Sequence, residues 1–220
     1  MSVALNGVSL AISVVAIVFF IVGCIGYTVN EDNLKQVAWA TTDINGVDYY
    51  IGLRMVYFEF GGASLDVRYS DCNQDFCDDC NIEGKGAVAL LIIAIGFAVI
   101  TTSLCAALLV TPSNASMQTA NVFMSLLSAI ASLIGFAVFM GHCYKRLFNY
   151  FNEDDDSTYY YSYDDNDNSG KLKWGPGSIL SIIGMLLMWI VTILQIVAAV
   201  VGSSPKGAEP VNRHDMPAGL

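Results

Sequence analysis

The sequence predicts an all-α membrane protein: a four-transmembrane-helix bundle that carries a small extracellular antiparallel β-sheet formed by its first long loop. Hydrophobic residues make up 55% of the chain, only 14% of residues are charged, and the mean hydropathy is +0.54. Four segments contain no Asp, Glu, Lys or Arg and have the roughly 20 residues that a helix needs to cross a bilayer. The polar segment between the first two of them alternates with the period of a strand. The predicted spans are residues 8–29, 86–110, 119–142 and 177–202.

Four spans place both termini on one side of the membrane and the two long loops, residues 30–85 and 143–176, on the other. The connection over residues 111–118 is short, and the tail, residues 203–220, is too short and polar to fold alone. The first span lacks a basic segment before it and is longer than the apolar part of a signal peptide. We therefore expect it to remain as a helix of the mature protein.

Negative charge is concentrated in the two long loops. They hold eighteen of the twenty acidic residues, so the formal net charge of −10 belongs to one membrane face. That face repels anions and attracts cations or basic partners. A nucleic acid is therefore not an expected partner.

Two rules disagree about which side the long loops occupy. Lysines and arginines near the helix ends are more frequent in the loops than in the tail, which by the positive-inside rule favours a cytosolic position for the loops. Four of the six cysteines, however, lie in or beside these loops, which favours disulfides in an oxidising compartment. We expect the loops outside the plasma membrane and both termini in the cytosol. The candidate disulfide cysteines are Cys72, Cys77, Cys80 and Cys143.

The first loop has the pattern of a β-hairpin. Apolar and polar residues alternate over 54–60 and again over 65–69, and Gly61-Gly62 between them supplies the positive φ angles of a tight turn. A short strand over 37–41 and a turn at 45–46 are expected to precede the hairpin. Together these segments predict a small sheet.

The spacing of the loop cysteines also fits a zinc site or a redox pair. Cys77-x-x-Cys80 is also the pattern of half a zinc site, which Cys72 and either His142 or Cys143 would complete, or of a redox pair. The redox interpretation lacks a βαβ context, and zinc competes with disulfides in an oxidising compartment, so disulfides are favoured.

The second loop begins a calcium-binding pattern but does not complete it. Asp165, Asp167 and Gly170 have EF-hand spacing, yet Pro176 stands where the bidentate Glu belongs. Weak divalent-cation binding at Asp164, Asp165 and Asp167 remains an alternative to a merely solvated loop. No catalytic constellation is present, so we expect neither an enzyme nor a cofactor.

Three further features lie in or beside the long loops. Residues 158–163 either add a strand to the sheet or form a solvated loop. Helix three is expected to continue past the membrane as an amphipathic turn. Trp39 is expected to anchor the loop at the membrane interface, contact a partner or fill the underside of the sheet.

Four features occur together: Trp39 in a long first loop, Gly52-Leu53 opening a hairpin, a helix three that runs out through Arg146 to Asn149, and a shorter second loop. In these features the chain resembles the claudin superfamily, which includes peripheral myelin and epithelial membrane proteins, calcium-channel gamma subunits and amastins. The chain would be a divergent member, because the signature of that family is W…GLW-x2-C…C. Here Arg54 replaces the second tryptophan, Tyr57 stands at the first cysteine, and Cys72 falls beyond the second.

The resemblance implies a left-handed four-helix bundle capped by an extracellular sheet, with any family disulfide moved into the cluster of three loop cysteines. It also implies a role in contacts between membrane proteins or between membranes, as at a cell junction.

We therefore expect a structural membrane protein whose extracellular loops assemble it, laterally or across membranes, into strands or arrays. Its expected partners are membrane lipid, other copies of itself and other membrane proteins. The alternative is a pore-forming or auxiliary subunit of a cation channel, which the scarcity of polar residues in the helices disfavours. The candidate contact residues are Trp39, Gly52, Leu53, Tyr57, Phe58 and Phe60.

Overall fold

The computed structural model describes residues 2–44, 46–112, 114–147 and 172–203, which are mostly helical with a small antiparallel sheet. A 3-10 turn, Tyr69–Asp71, follows the last strand of the first loop, and a π-helical segment, Phe139–Tyr144, continues α4. The other elements in chain order are α1 (Ser2–Ile25), α2 (Glu31–Val37), β1 (Ala40–Ile44), β2 (Val47–Ile51), β3 (Met55–Phe60), β4 (Ala63–Arg68), α3 (Asp75–Val110), α4 (Ala115–Val138), β5 (Lys173–Trp174) and α5 (Pro176–Ser203).

Four helices are long and apolar enough to cross a membrane, as the sequence predicts. They form a bundle in which α1 and α4 each pack against both α3 and α5. The candidate membrane spans are Val3–Ile25, Phe76–Val110, Ala115–Leu147 and Pro176–Val201.

All four long helices begin before the spans predicted from the sequence. α3 starts at Asp75 instead of residue 86, so Cys77 and Cys80 lie in its first turns and not in a loop. Acidic residues are favourable at a helix N-terminus, where the helix dipole is positive, but they hide the start of the helix from a search for apolar segments. α1 likewise starts at Ser2 and includes the polar Asn6.

A helix absent from the sequence prediction, α2, precedes the sheet. The Asn30 side chain caps it by accepting a hydrogen bond from the backbone N–H of Asn33, and Glu31 and Asp32 occupy its first turn. Because α2 extends to Val37, β1 begins at Ala40 and not at residue 37.

The sheet has five described strands in the order β4-β3-β2-β1-β5, and every described pair is antiparallel. The predicted turn at Gly61-Gly62 is present, with φ angles of 54° and 85°. β5 follows the second long loop and pairs with β1, placing Trp174 opposite Ala40. Residues 158–163 and the aspartates Asp164, Asp165 and Asp167 lie outside the described residues.

The interior of the bundle changes character along its length. Buried positions on each long helix recur with alternating spacings of three and four residues, which is the pattern of helices that cross at small angles. Near the sheet the interior includes Phe20, Leu91 and Phe139, whereas at the opposite end it includes Asn6, Asn121 and other polar side chains. The sheet therefore stands on an apolar base.

Candidate interaction surface

Trp39 joins the sheet to the bundle. It is fully buried, its Nε1–H donates a hydrogen bond to the carbonyl of Gly23 at 2.9 Å, and its ring meets Phe139 edge-on with centroids 4.9 Å apart. Gly26 makes this position possible, because a Cβ there would lie only 2.5 Å from the indole ring. Of the three roles expected from the sequence, the structure shows Trp39 filling the underside of the sheet.

The turn at Gly52-Leu53 forms a second joint. The backbone N–H of Leu53 donates to the carbonyl of Gly26 at 2.8 Å, and its buried side chain belongs to the main core cluster. The fully buried Tyr69 donates its hydroxyl hydrogen to the carbonyl of Gly52 at 3.1 Å. Burial raises the pKa of Tyr69 far above its ordinary range. This turn is therefore held from both α1 and the end of β4.

All four candidate cysteines are paired in two disulfides. Cys72–Cys77 closes the short loop before α3, and Cys80–Cys143 joins α3 to the π-helical segment after α4. Across the described ranges, no group of three His, Cys, Asp or Glu residues is arranged to hold a metal ion. The cysteines thus brace the sheet end of the bundle.

Glu83 sits beside the second disulfide. Its Oε2 accepts a hydrogen bond from the backbone N–H of Cys143 at 2.6 Å, and its Oε1 lies 2.7 Å from Nδ1 of His142. The Glu83 carboxylate therefore binds a backbone N–H of the π-helical segment, a kind of helix that is rare in proteins. α3 and the end of α4 are therefore joined by a covalent bond and a hydrogen bond at the same level.

One face of the sheet is apolar. The strand register places residues of β2, β3 and β4 side by side in two rows on this face. The row nearest the bundle is more buried, and a cavity of about 290 Å³ lies between this face and the start of α3. The two rows are Ile51–Val56–Val67 and Tyr49–Phe58–Leu65.

The opposite face is covered by α2. Tyr57 is only 3% exposed and packs near Tyr50, with Lys35 of α2 positioned 5.0 Å above the centre of its ring. The Lys35 Nζ also lies 2.6 Å from Glu59, and this pairing raises the pKa of Lys35 above its ordinary value. The free apolar surface of the sheet is consequently on the other side.

The structure divides the six candidate contact residues. Trp39, Gly52, Leu53 and Tyr57 are buried within the chain, Phe58 is half-buried, and Phe60 is 61% exposed.

Leu65 in β4, 63% exposed, was not among those candidates although the alternation of β4 contained the signal. β4 is an edge strand of the described sheet, and most of its residues are exposed. Phe60, the last residue of β3, lies on the same face diagonally beside Leu65, and the exposed edge that carries these two side chains is the candidate interaction surface.

The fold and this site define a class of protein: a bundle of four membrane-length helices that carries a disulfide-braced sheet at one end. No protein-family model matches the chain, and no curated protein sequence matches it.

Proposed function

We propose that this chain is a structural integral membrane protein of the plasma membrane that self-assembles into strands or arrays through the exposed edge of its extracellular sheet. The observation that carries this proposal is the position of two large apolar side chains that are more than 60% exposed: Leu65 in the edge strand β4, and Phe60 beside it at the hairpin end of β3. The claudin-like arrangement of Trp39 and Gly52-Leu53 in the first loop supports the same function.

An edge strand presents backbone donors and acceptors to which another strand can bind. Phe60 and Leu65 add an apolar contact on one face of the sheet at that edge, and aromatic residues such as Phe are enriched at protein interfaces, where a few residues carry most of the binding energy. The Trp39 joint and the disulfides hold the edge in place before binding, so little conformational entropy is lost on association.

The two disulfides support the extracellular orientation, because such bonds persist in oxidising compartments. The acidic loops would then face the cell exterior and both termini the cytosol. In this arrangement lipid surrounds the four long helices. Their outward-facing positions are rich in exposed isoleucine and valine.

The proposal is tested by crosslinking in the native membrane at native density. The double variant Phe60→Ser/Leu65→Ser removes the apolar contact and should reduce crosslinked oligomers of the wild-type protein to monomers. Ile82→Ser is the matched control, since Ile82 is 70% exposed on α3 and outside the sheet. Assembly through the sheet edge is refuted if the wild-type protein is monomeric in its native membrane, or if the double variant crosslinks as efficiently as the control.

A second candidate function, an auxiliary or pore-forming subunit of a cation channel, is favoured by the concentration of acidic residues in the loops. Phe20, Trp39 and Phe139 fill the interior of the bundle near the sheet, which argues against conduction along the axis of a single copy. Copurification of a monomeric wild-type chain with a channel protein would favour the auxiliary role over self-assembly.

A further inference from the structure

Buried polar atoms without partners are concentrated at the end of the bundle opposite the sheet. Eight side-chain nitrogen or oxygen atoms in the described residues are buried and make no hydrogen bond. One of them, the Thr42 hydroxyl, lies in β1, which leaves seven in the helices. The seven are Asn6 Nδ2, Asn6 Oδ1, Ser9 Oγ, Thr101 Oγ1, Gln118 Nε2, Asn121 Oδ1 and Gln195 Oε1.

Three of the four helices meet at Cys105. The Asn121 side-chain amide of α4 donates to the Cys105 sulfur at 3.2 Å, and the Gln195 amide of α5 approaches the same sulfur at 3.5 Å. Thr101 lies one turn before Cys105 on the buried face of α3. α3, α4 and α5 therefore bring Cys105, Asn121 and Gln195 to one level of the bundle, with Thr101 one turn nearer the sheet.

α1 reaches the same level through Ser9. Gly23 of α1 lies against Ser181 of α5, and the two helices are antiparallel. Ser9 comes fourteen residues before Gly23 and Gln195 fourteen residues after Ser181, so the helix period places the two opposite each other.

The contact between α1 and α3 also places Ser9 near the level of Cys105. Ser13 and Thr102 share a hydrogen bond of 2.9 Å, one turn nearer the sheet than Ser9 and Cys105. Asn6 and Gln118 lie about one turn beyond Ser9 and Asn121, towards the end of the bundle.

These groups include both hydrogen-bond donors and hydrogen-bond acceptors. Asn6 and Gln118 offer N–H donors, Asn121 and Gln195 offer carbonyl acceptors, and the Ser9 and Thr101 hydroxyls can do either. No Asp, Glu, Lys or Arg occurs in residues 2–25, 86–144 or 176–203. A bare cation would satisfy the acceptors and repel the donors, and an anion would do the reverse. Water satisfies both kinds of group and carries no net charge.

We propose that this polar layer is an internal water-binding site in which about two to three water molecules bridge side chains of all four helices, at about three hydrogen bonds each. Polar groups buried without partners are strongly destabilising, and seven together would offset much of the net stability of a typical domain. Bridging water removes that cost. Near the sheet the interior is filled by Phe20 and Leu91, and the buried hydroxyls of Ser178 and Ser181 there already donate to backbone carbonyls, so the water is confined to the end opposite the sheet.

The Cys105 thiol provides the probe. In a Cys24→Ala background it is the only thiol in the chain, because the other four cysteines are in disulfides. The full-length protein in lipid nanodiscs is transferred to D2O, and the infrared S–H band of Cys105 is followed as it converts to S–D. If water resides beside Cys105, thiol exchange should be on the order of a hundredfold faster than exchange of the flanking α3 amides, which needs local unfolding.

The variant Asn6→Leu/Gln118→Leu removes two of the groups that would hold water, and it should slow thiol exchange roughly tenfold or more. Ser128→Ala is the matched control, since the Ser128 hydroxyl is buried but already bonded to the Ala94 carbonyl at 2.8 Å, and it should leave the rate unchanged. Equal rates in the double variant and the control would overturn the proposal. So would a wild-type thiol that exchanges no faster than the flanking amides, a result that stands even if the double variant fails to fold.

Discussion

Trp39 of the sheet and Gly23 of α1 are linked by a buried hydrogen bond of 2.9 Å from the indole N–H to the backbone carbonyl. That carbonyl lies near the end of α1 and also accepts a hydrogen bond from the backbone N–H of Gly26 at 3.2 Å. The indole N–H therefore uses the second lone pair of the carbonyl, and the ring fills the space beneath the sheet. Trp39 and the Gly52-Leu53 turn together hold the sheet on the bundle.

The Trp39 joint predicts that Gly26→Ala destabilises the protein. The new Cβ would lie 2.5 Å from the indole, and overpacking of this kind costs about 1–3 kcal/mol. Gly96→Ala is the control, because nothing lies within 4 Å of a Cβ at that position of α3. Thermal unfolding in nanodiscs should show a lower midpoint for Gly26→Ala and an unchanged or raised midpoint for Gly96→Ala. Equal midpoints would contradict the packing described for Trp39.

The two disulfides should differ in their contributions. Cys80–Cys143 spans 63 residues and Cys72–Cys77 spans 5, and the entropy model of loop closure assigns them about 4 and about 2 kcal/mol. Replacing Cys80 and Cys143 together by serine should therefore lower stability more than the same change at Cys72 and Cys77. Denaturant titration of the two double variants measures the difference. A larger loss from the Cys72/Cys77 variant would show that local packing, and not loop closure, dominates.

Alkaline pH should weaken the joint at Gly52. In the unfolded chain Tyr69 ionises with a pKa of about 10, whereas burial raises its pKa in the folded state. The stabilising contribution is therefore fully present below about pH 10, and it decreases as pH rises above that value, because only the unfolded state readily loses the proton.

Tyr69→Phe tests this dependence. The variant loses the hydrogen bond to the Gly52 carbonyl, at a cost of about 1 kcal/mol near neutral pH. Stability measured from pH 8 to 11 should then fall less steeply for the variant than for the wild type. Parallel curves would mean that another group controls the alkaline transition.

The sequence was sufficient for the four helices and for the Gly61-Gly62 hairpin, because both depend on local patterns: long apolar runs and alternation around a glycine turn. It was insufficient for the start of α3 at Asp75. An acidic first turn stabilises a helix, but its polar residues end the apolar run by which a membrane helix is recognised. β5 was missed because two residues paired to a distant strand leave no periodic signal.

The sequence also did not show which of the six candidate contact residues would be buried and which exposed. Alternation identifies the two faces of a strand but not which face another element covers. α2, which covers Tyr57, was itself unpredicted. The sequence analysis also found polar residues scarce in the helices, but Asn121 lies within the third predicted span, and Asn6 and Gln118 lie just outside the predicted spans. These side chains became notable only when the bundle placed them in its interior.

The orientation of the chain gives the last prediction, because the lysine count and the disulfides favour opposite sides. If the sheet faces the cell exterior, an impermeant maleimide applied to intact cells after mild reduction of the Cys72–Cys77 disulfide should label Cys72, which is only half-buried. Cys105 should remain unlabelled, since it is buried inside the bundle, and it serves as the internal control. A Cys72→Ser/Cys77→Ser variant should lose most of the signal. Labelling of the wild type only after permeabilisation would place the sheet in the cytosol and would exclude assembly through it at the cell surface.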